Sequence, residues 1–145
     1  MKIYSITSSQ NNTFKIFCDI LNSKGIQEHN QALIFGEKAV RETLDKHNDK
    51  CLGLIVGNSS NRISAGPEVS AASALTLYKL DSELFKKIDV FGSHRPILLV
   101  KVPEFQKWDA SARIKGCNLA LSFQDPRNLG AVLRSASAFG ASQII

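Results

Sequence analysis

The chain has 145 residues and a mass of 15.9 kDa; 43% of its residues are hydrophobic and 21% are charged. This composition excludes intrinsic disorder, collagen and a coiled coil, and the length excludes two large domains. No apolar run approaches the roughly 20 residues that a membrane-spanning helix needs. The first ten residues contain no apolar stretch like that of a secretory signal peptide.

Lysine and arginine total 18 against 13 acidic residues, giving a net charge of +5 and an isoelectric point of about 9.2. This basic balance favours polyanionic partners such as nucleic acid, although many soluble proteins have a similar isoelectric point. The cysteines Cys18, Cys51 and Cys117 are widely spaced and form no C-x-x-C pair. We therefore predict reduced, buried thiols in a cytoplasmic protein, and no metal site.

The N-terminal part of the chain alternates between short apolar runs and helical patterns. The apolar runs predict strands at residues 32–35, 51–56, 75–80 and 96–102. We expect Gly25 to end the first helix, Gly36 and Glu37 to open the second, and Asp81 to cap the third. The predicted apolar faces of the three helices are Phe14, Phe17, Cys18 and Leu21; Val40 and Leu44; and Leu84, Phe85 and Ile88. Strands separated by helices predict an α/β fold with a mostly buried sheet.

Residues 104–116 interrupt this rhythm and are interpreted as a linker; they contain the single tryptophan, Trp108. The α/β pattern then restarts with a strand at 118–123, a helix, and another strand at 143–145. A strand–helix–strand unit needs neighbouring strands to bury its sheet. We therefore expect residues 117–145 to open a second domain whose remainder lies outside this chain.

The turn into the last helix, residues 124–134, combines Arg127, Gly130 and Arg134 on one helical face. Asp125 or Asn128 is the predicted cap of this helix. Guanidinium groups bind phosphate through two parallel hydrogen bonds, and a glycine lets a bulky group approach the backbone. These residues indicate a phosphate-facing site at the carboxyl end of a strand. The alternative is a solvated arginine face on an ordinary amphipathic helix.

Residues 121–145, LSFQDPRNLGAVLRSASAFGASQII, resemble the first signature motif of the SpoU/TrmH family of RNA ribose 2′-O-methyltransferases, through D-P-x-N-x-G-A-x-x-R and Phe-Gly-Ala. This family belongs to the SPOUT superfamily, whose catalytic domain is a knotted α/β fold. The preceding segment is similar to the family's RNA substrate-binding domain, a three-layer α/β/α sandwich related to ribosomal and kink-turn-binding proteins. The stretches that carry this similarity are residues 6–11 with Lys15, 33–40, 84–87 and 96–102.

The resemblance implies three segments: an RNA substrate-binding domain at 1–103, a linker at 104–116, and the truncated start of a methyltransferase domain at 117–145. It places Asn128 and Arg134 at the catalytic site, and it assigns Gly130 a role in close approach to RNA. Arg127, at a position that varies in the family, is a further candidate for RNA binding. In the N-terminal domain the RNA-binding candidates are Asn11, Lys15, Gly36, Glu37 and Lys38. Gly36 and Glu37 have an alternative interpretation as a tight turn whose acid stabilises the helix dipole.

The resemblance also implies the partners and the cofactor. The whole enzyme would methylate tRNA or ribosomal RNA with S-adenosylmethionine, would be cytoplasmic, and would act as a homodimer without a membrane partner. The later motifs that bind S-adenosylmethionine are absent, so we expect this chain alone to bind no cofactor and to be inactive. A stand-alone RNA-binding protein of the kink-turn type, without catalysis, is the alternative function.

Overall fold

The structure, a computed structural model, describes residues 2–58, 75–103, 109, 115–121 and 126–144, except for the side chains of 126 and 127. The chain divides into two units, Met1–Phe105 and Gln106–Ile145. The predicted linker, with Trp108, falls largely outside the described residues, as do residues 59–74 and Asp125.

The described residues of the first unit form five strands and four α-helices. The strands are β1 (Ile3–Ile6), β2 (Gln31–Ile34), β3 (Cys51–Gly57), β4 (Thr76–Leu80) and β5 (Ile97–Lys101). The helices are α1 (Asn12–Asp19), α2 (Ser23–His29), α3 (Glu37–Lys46) and α4 (Ser82–Ile88), with a short 3-10 helix at Asn48–Lys50. All four predicted strands are confirmed to within two residues at each end.

The five strands form one mixed sheet in the order β1-β4-β3-β5-β2. Strand β4 pairs in parallel with β1 and β3, whereas β5 pairs antiparallel with β3 and β2. The centre of the sheet is Ile55 on β3, which lies opposite Tyr78 on one side and Ile97 on the other. Strands β1 and β2 are therefore at opposite edges of the sheet that the described strands form.

The core of the first unit lies on both faces of this sheet. Along β3, Ile55 points into a cluster with Phe14 and Phe17 of α1 and with apolar residues of α4. The neighbouring Leu54 and Val56 point the other way, into a cluster with residues of α3. The alternation follows from the two-residue period of a strand. The prediction that Phe14 and Phe17 belong to the core is confirmed, since they are 3% and 1% exposed.

One expectation about the N-terminal helices is wrong. Gly25 does not end the first helix: α1 stops at Asp19, and Gly25 lies buried inside α2. A Cβ atom on Gly25 would collide with the carbonyl of Asp19, so the glycine is needed for the close approach of the two helices. The boundaries are instead set by Asn22, whose side chain accepts from the Gly25 amide, and by Asn30 in the left-handed conformation.

Two smaller differences concern β1 and α4. Strand β1 is absent from the sequence-based prediction because three of its four residues are exposed, so no apolar run marks it. Asp81 occupies the position before α4, as expected, but its side chain makes no capping hydrogen bond.

The second unit contains strand β6 (Asn118–Leu119), helix α5 (Pro126–Ala138) and strand β7 (Gln143–Ile144). The two strands pair in parallel, Asn118 with Gln143 and Leu119 with Ile144, so the unit is a β-α-β motif. Helix α5 carries an apolar stripe of Leu129, Val132, Leu133 and Ala136, which is only partly covered: Ala136 is buried, whereas Leu129 and Leu133 are 36% and 39% exposed.

Candidate nucleic-acid interface

The turn from β2 into α3 carries three of the predicted RNA-binding residues. Gly36 adopts a φ of 88°, a conformation that side chains of L-residues rarely tolerate, and it precedes the first turn of α3. Nothing lies within 4 Å of a Cβ atom built on Gly36, so the backbone there is open. Lys38 is exposed on the first turn of the helix. An open backbone beside a lysine can approach a phosphate group closely.

Glu37 is engaged by two arginines rather than free to accept a hydrogen bond from RNA. Its Oε1 atom accepts from Nη2 of Arg41 at 3.2 Å, and its Oε2 atom lies 3.5 Å from Nη1 of Arg95. The carboxylate therefore links the turn after β2 to the loop before β5. It also lowers the positive potential at this turn, which opposes phosphate binding.

The loop between α4 and β5 is held by one buried carboxylate. Asp89 is 5% exposed; its Oδ2 accepts from the His94 amide at 2.7 Å and its Oδ1 accepts from the Ser93 hydroxyl at 3.2 Å. Gly92 and His94 take positive φ values of 58° and 52° within this turn. The turn leaves Phe91 72% exposed, with its ring edge-on to Phe35 at a centroid distance of 5.2 Å.

These contacts define one continuous patch, which we call the β2-edge surface. Its members are Phe35, Gly36, Glu37, Lys38, Arg41, Phe91 and Arg95. It combines three cations with one carboxylate and an exposed aromatic ring. Cations that follow a sugar–phosphate backbone, together with a ring on which a base can stack, are the usual elements of single-stranded RNA recognition.

Phe91 and Arg95 are absent from the sequence-based candidates. Phe91 follows a helical pattern directly and belongs to no motif. The available signal was an aromatic residue placed just past a helix end, ahead of Gly92, Arg95 and Pro96. The Asp89 turn and the Glu37 ion pair hold these residues at the β2-edge surface.

Asn11 and Lys15 do not join that surface. They lie at and after the start of α1, next to β1, at the opposite edge of the sheet from β2. The Asn11 Oδ1 atom caps α1, accepting from the amides of Thr13 at 2.9 Å and Phe14 at 3.3 Å. Lys15 is exposed on the same helix. The predicted RNA-binding residues of the first unit therefore form two separate groups.

In the second unit, α5 presents Asn128 and Arg134 as exposed side chains. Nη1 of Arg134 lies 3.5 Å from the position of a Cβ atom on Gly130, so the guanidinium group folds back along the helix over the glycine. Arg134 forms no ion pair with any other residue that the structure describes. Arg127 lies in the first turn of α5, and its side chain is outside the described part.

Comparisons with known proteins cover nearly all of the chain. It is 39% identical over 141 residues to the ribosomal RNA small subunit methyltransferase G 2 of Syntrophobacter fumaroxidans, an alignment that spans 97% of this chain and 28% of that protein. It also matches the crystal structure of an RNA 2′-O ribose methyltransferase, with a TM-score of 0.58 and 27% identity over 97% of this chain and 54% of the other. The homologues of this chain are RNA methyltransferases.

A further match shows the fold alone. The AdoMet-bound rRNA methyltransferase from Sinorhizobium meliloti has a TM-score of 0.67 and 20% identity over 98% of this chain and 53% of that one. No protein-family model matches the chain. The chain thus spans about half of the solved RNA methyltransferases that it resembles, and under a third of the curated relative.

Other site chemistries find little support in the described residues. Within that part of the chain, no group of three or more histidine, cysteine or acidic side chains could hold a metal ion. Burial raises the pKa of the Cys51 thiol and that of the Cys18 thiol, with smaller contributions from Asp49 and Asp19 respectively. Both thiols are therefore poor nucleophiles at neutral pH. None of the described helices has the length and apolar character to cross a membrane.

Proposed function

We propose that this chain is the N-terminal portion of an S-adenosylmethionine-dependent RNA ribose 2′-O-methyltransferase of the SpoU/TrmH type. In this proposal the first unit is the α/β/α substrate-binding domain and binds tRNA or ribosomal RNA. The second unit opens the knotted catalytic domain. The whole enzyme would be a cytoplasmic homodimer. The observation that carries the proposal is the position of Arg134, exposed and folded over Gly130 on the helix whose sequence resembles the family's first motif.

Arg134 is assigned to the reacting nucleotide. A guanidinium group stays protonated at any physiological pH, so Arg134 is not the base that removes the ribose proton. Its N–H groups instead donate to the phosphate and to the 2′-oxygen, stabilising the negative charge that develops on that oxygen. Asn128, two residues before Gly130, donates or accepts one further hydrogen bond that orients the ribose. Gly130 keeps the helix backbone accessible to the sugar.

The described residues of the second unit do not form a site for S-adenosylmethionine. The unit offers one helix and two two-residue strands, and Leu129, Leu133 and Phe139 remain 36%, 39% and 90% exposed. An enclosed adenosyl pocket would cover such side chains. The cofactor therefore requires protein elements beyond these residues. The support for S-adenosylmethionine itself is the solved relative that holds AdoMet.

Radiolabelled methyl transfer by the full-length protein tests the proposal. Ribose methylation removes the 2′-hydroxyl, so the modified dinucleotide resists alkaline hydrolysis, whereas a base-methylated product is hydrolysed completely. We expect label in the alkali-resistant dinucleotide. Arg134→Ala should lower the rate at least a hundredfold, and Arg134→Lys nearly as much because a lysine cannot form paired hydrogen bonds.

Lys24→Ala is the matched control, since it removes an exposed cation on α2, away from α5 and outside the β2-edge surface, and should keep the full rate. If the label is found only in alkali-sensitive nucleotides, the enzyme methylates a base and not the ribose. Calorimetry on the 145-residue chain should detect no micromolar binding of S-adenosylmethionine. Such binding would contradict the division of the site between this chain and the rest of the enzyme.

A further inference from the structure

Two tyrosines stack on each other at the β1 edge of the sheet. Tyr4 on β1 lies opposite Tyr78 on β4, and the two rings are 5.9 Å apart between centroids with an angle of 23° between their planes. Tyr4 is 52% exposed, and among the described strands β1 pairs with β4 alone. About half of the Tyr4 side chain is therefore exposed to solvent beside the Tyr78 ring.

The inner ring of the pair is fixed in place. Tyr78 meets Phe17 edge-on, at a centroid distance of 5.2 Å and an angle of 79°. It also covers Gly53 of the adjacent strand, where a Cβ atom would lie 2.7 Å from Cε2 of Tyr78. Phe17 is 1% exposed, so this support belongs to the core of the unit. Because Phe17 and Gly53 restrict the Tyr78 ring, little side-chain entropy remains to be lost when a ligand binds, and the ring pair is preorganised.

The stacked rings line an open cleft of about 410 Å³ between β1, β4 and the start of α1. Its other described lining residues are Lys2, Ser5, Ile6, Asn11, Thr13 and Thr76. They include one cation, hydroxyl and amide groups, and no carboxylate. The volume lies within the range of about 300–1,000 Å³ that is typical of small-ligand clefts. Aromatic faces, hydrogen-bonding groups and a lysine are complementary to a nucleobase that is attached to a phosphate.

We propose that this cleft, defined by Tyr4, Tyr78 and Lys2, binds one unpaired nucleotide of the RNA substrate. The base stacks on the exposed face of Tyr4, and Lys2 contacts the adjacent phosphate. The inference rests on RNA binding by the first unit and adds a contact point at the sheet edge opposite the β2-edge surface. It also gives Asn11 a place in RNA binding, beside the base rather than beside Gly36. The RNA that fits this cleft is single-stranded where it crosses β1, because a base inside a duplex is stacked between its neighbours and has no free face for Tyr4.

Fluorescence anisotropy with the 145-residue chain tests the cleft. The probe is a fluorescein-labelled single-stranded RNA of twelve nucleotides, and the control ligand is a duplex of the same sequence. Tyr4→Ala should weaken single-strand binding about fivefold to a hundredfold, the range of one lost base–aromatic stack, while leaving duplex binding unchanged. Tyr4→Phe keeps the ring and should bind within twofold of the wild type. Lys2→Ala should reduce the slope of log affinity against log salt by about 0.7, as for one phosphate contact.

A direct readout is independent of affinity. RNA containing 4-thiouridine should crosslink to Tyr4 under near-ultraviolet light, and mass spectrometry should find the adduct on the N-terminal peptide. The proposal for the cleft would be overturned if Tyr4→Ala binds single-stranded RNA as tightly as the wild type. Equal losses of affinity in Tyr4→Ala and Tyr4→Phe would overturn it as well. Neither result would affect the β2-edge surface. A wild-type chain that binds neither RNA would overturn the RNA-binding half of the proposed function as well. Sedimentation showing that Tyr4→Ala dissociates a dimer would assign this edge to a second copy of the chain instead.

Discussion

Nη1 of Arg134 lies 3.5 Å from the position that a Cβ atom on Gly130 would occupy. That separation is an ordinary van der Waals contact, so an alanine would fit against the arginine without displacing it. Packing among the described residues therefore does not explain a glycine here. Inside a helix a glycine costs about 0.5–1 kcal/mol relative to alanine. A destabilising residue without a packing role is expected where function needs access to the backbone.

Gly130→Ala should therefore stabilise the second unit and impair the enzyme. We expect the free energy of unfolding to rise by about 0.5–1 kcal/mol, measured by urea denaturation followed by circular dichroism. Methyl transfer by the full-length protein should fall, because the new methyl group lies where the ribose approaches. Ala131→Gly, at the neighbouring exposed position of α5, is the matched control and should lower stability by a similar amount. Loss of stability in Gly130→Ala would disprove this account of the glycine.

The Glu37 carboxylate opposes RNA binding at the β2-edge surface. Glu37→Gln keeps the size of the side chain and removes the charge that holds Arg41 and Arg95. We expect affinity for single-stranded RNA to increase about twofold to fivefold, with a steeper salt dependence, because Arg95 becomes available to a phosphate. Stability should change by less than about 1 kcal/mol, as for an exposed ion pair.

Glu83→Gln is the control for that charge change. Glu83 pairs with Lys86 at 2.7 Å on α4, outside the β2-edge surface, so the substitution adds the same net charge elsewhere. Its effect on RNA affinity should be clearly smaller. Equal gains in RNA affinity in the two variants would mean that only the net charge of the protein matters. Weaker RNA binding by Glu37→Gln would show that the carboxylate itself contacts the RNA.

The sequence predicts those parts of the fold that local patterns encode. Strand β3 is a continuous apolar run because its side chains are buried on both faces of the sheet, and α3 shows Val40 and Leu44 one turn apart on its buried face. Strand β1 is not predicted from the sequence because an edge strand needs no continuous apolar run. Gly25 is wrongly predicted to end the first helix because its role is a close contact with Asp19. A contact between two helices leaves no periodic signal in the sequence.

The same reasoning explains the candidate sites. Asn128 and Arg134 share a helix, so their spacing alone predicts that both can be exposed on α5. The β2-edge surface depends on Arg95 meeting Glu37 across 58 positions of sequence, and the cleft at β1 depends on the pairing of Tyr4 with Tyr78. Neither pairing follows from local spacing, because both are produced by the strand order of the sheet.

Asp89 is predicted to control the loop that presents Phe91. Asp89→Ala removes both acceptors, leaving the His94 amide and the Ser93 hydroxyl without their partner. We expect a loss of about 1–3 kcal/mol in the free energy of unfolding, together with weaker RNA binding as Phe91 and Arg95 lose their positions. Ser93→Ala, which removes one of the two contacts, should cost less. An Asp89→Ala variant with wild-type stability would show that the turn forms without the carboxylate.

Two glycines of the first unit should respond to alanine for different reasons. Gly25→Ala forces a methyl group against the carbonyl of Asp19, which can move only with the backbone. We expect a loss of about 1–3 kcal/mol, or a rearranged start of α2. Gly36→Ala meets no atom within 4 Å but must hold a φ of 88° with a ψ of 132°, a sparsely populated conformation that costs about 1–3 kcal/mol. Urea denaturation measures both, and a harmless Gly25→Ala would mean that α1 and α2 are packed less closely than described.

The three thiols should differ in reactivity in the order of their exposure. Cys117 is exposed, Cys18 is half-buried, and Cys51 is buried with its thiol directed at the carbonyl of His47, 3.4 Å away. Because burial raises the pKa of Cys51 and of Cys18, less of each thiol is ionised at pH 8 than in an unfolded chain. Iodoacetamide labelling followed by mass spectrometry should therefore modify Cys117 first and Cys51 last.

The raised pKa values of Cys51 and Cys18 also predict how the free energy of unfolding depends on pH. A thiol whose pKa is higher in the folded state than in the unfolded state contributes stability that is fully present below the unfolded pKa. That contribution is lost as the pH rises through the folded value. The free energy of unfolding should therefore fall in alkaline solution above pH 8, and Cys51→Ala should show a shallower fall. In concentrated urea the three labelling rates should converge, since unfolding removes the burial that separates them. Labelling of Cys51 as fast as Cys117 in the native protein would contradict the packing of β3 against α3.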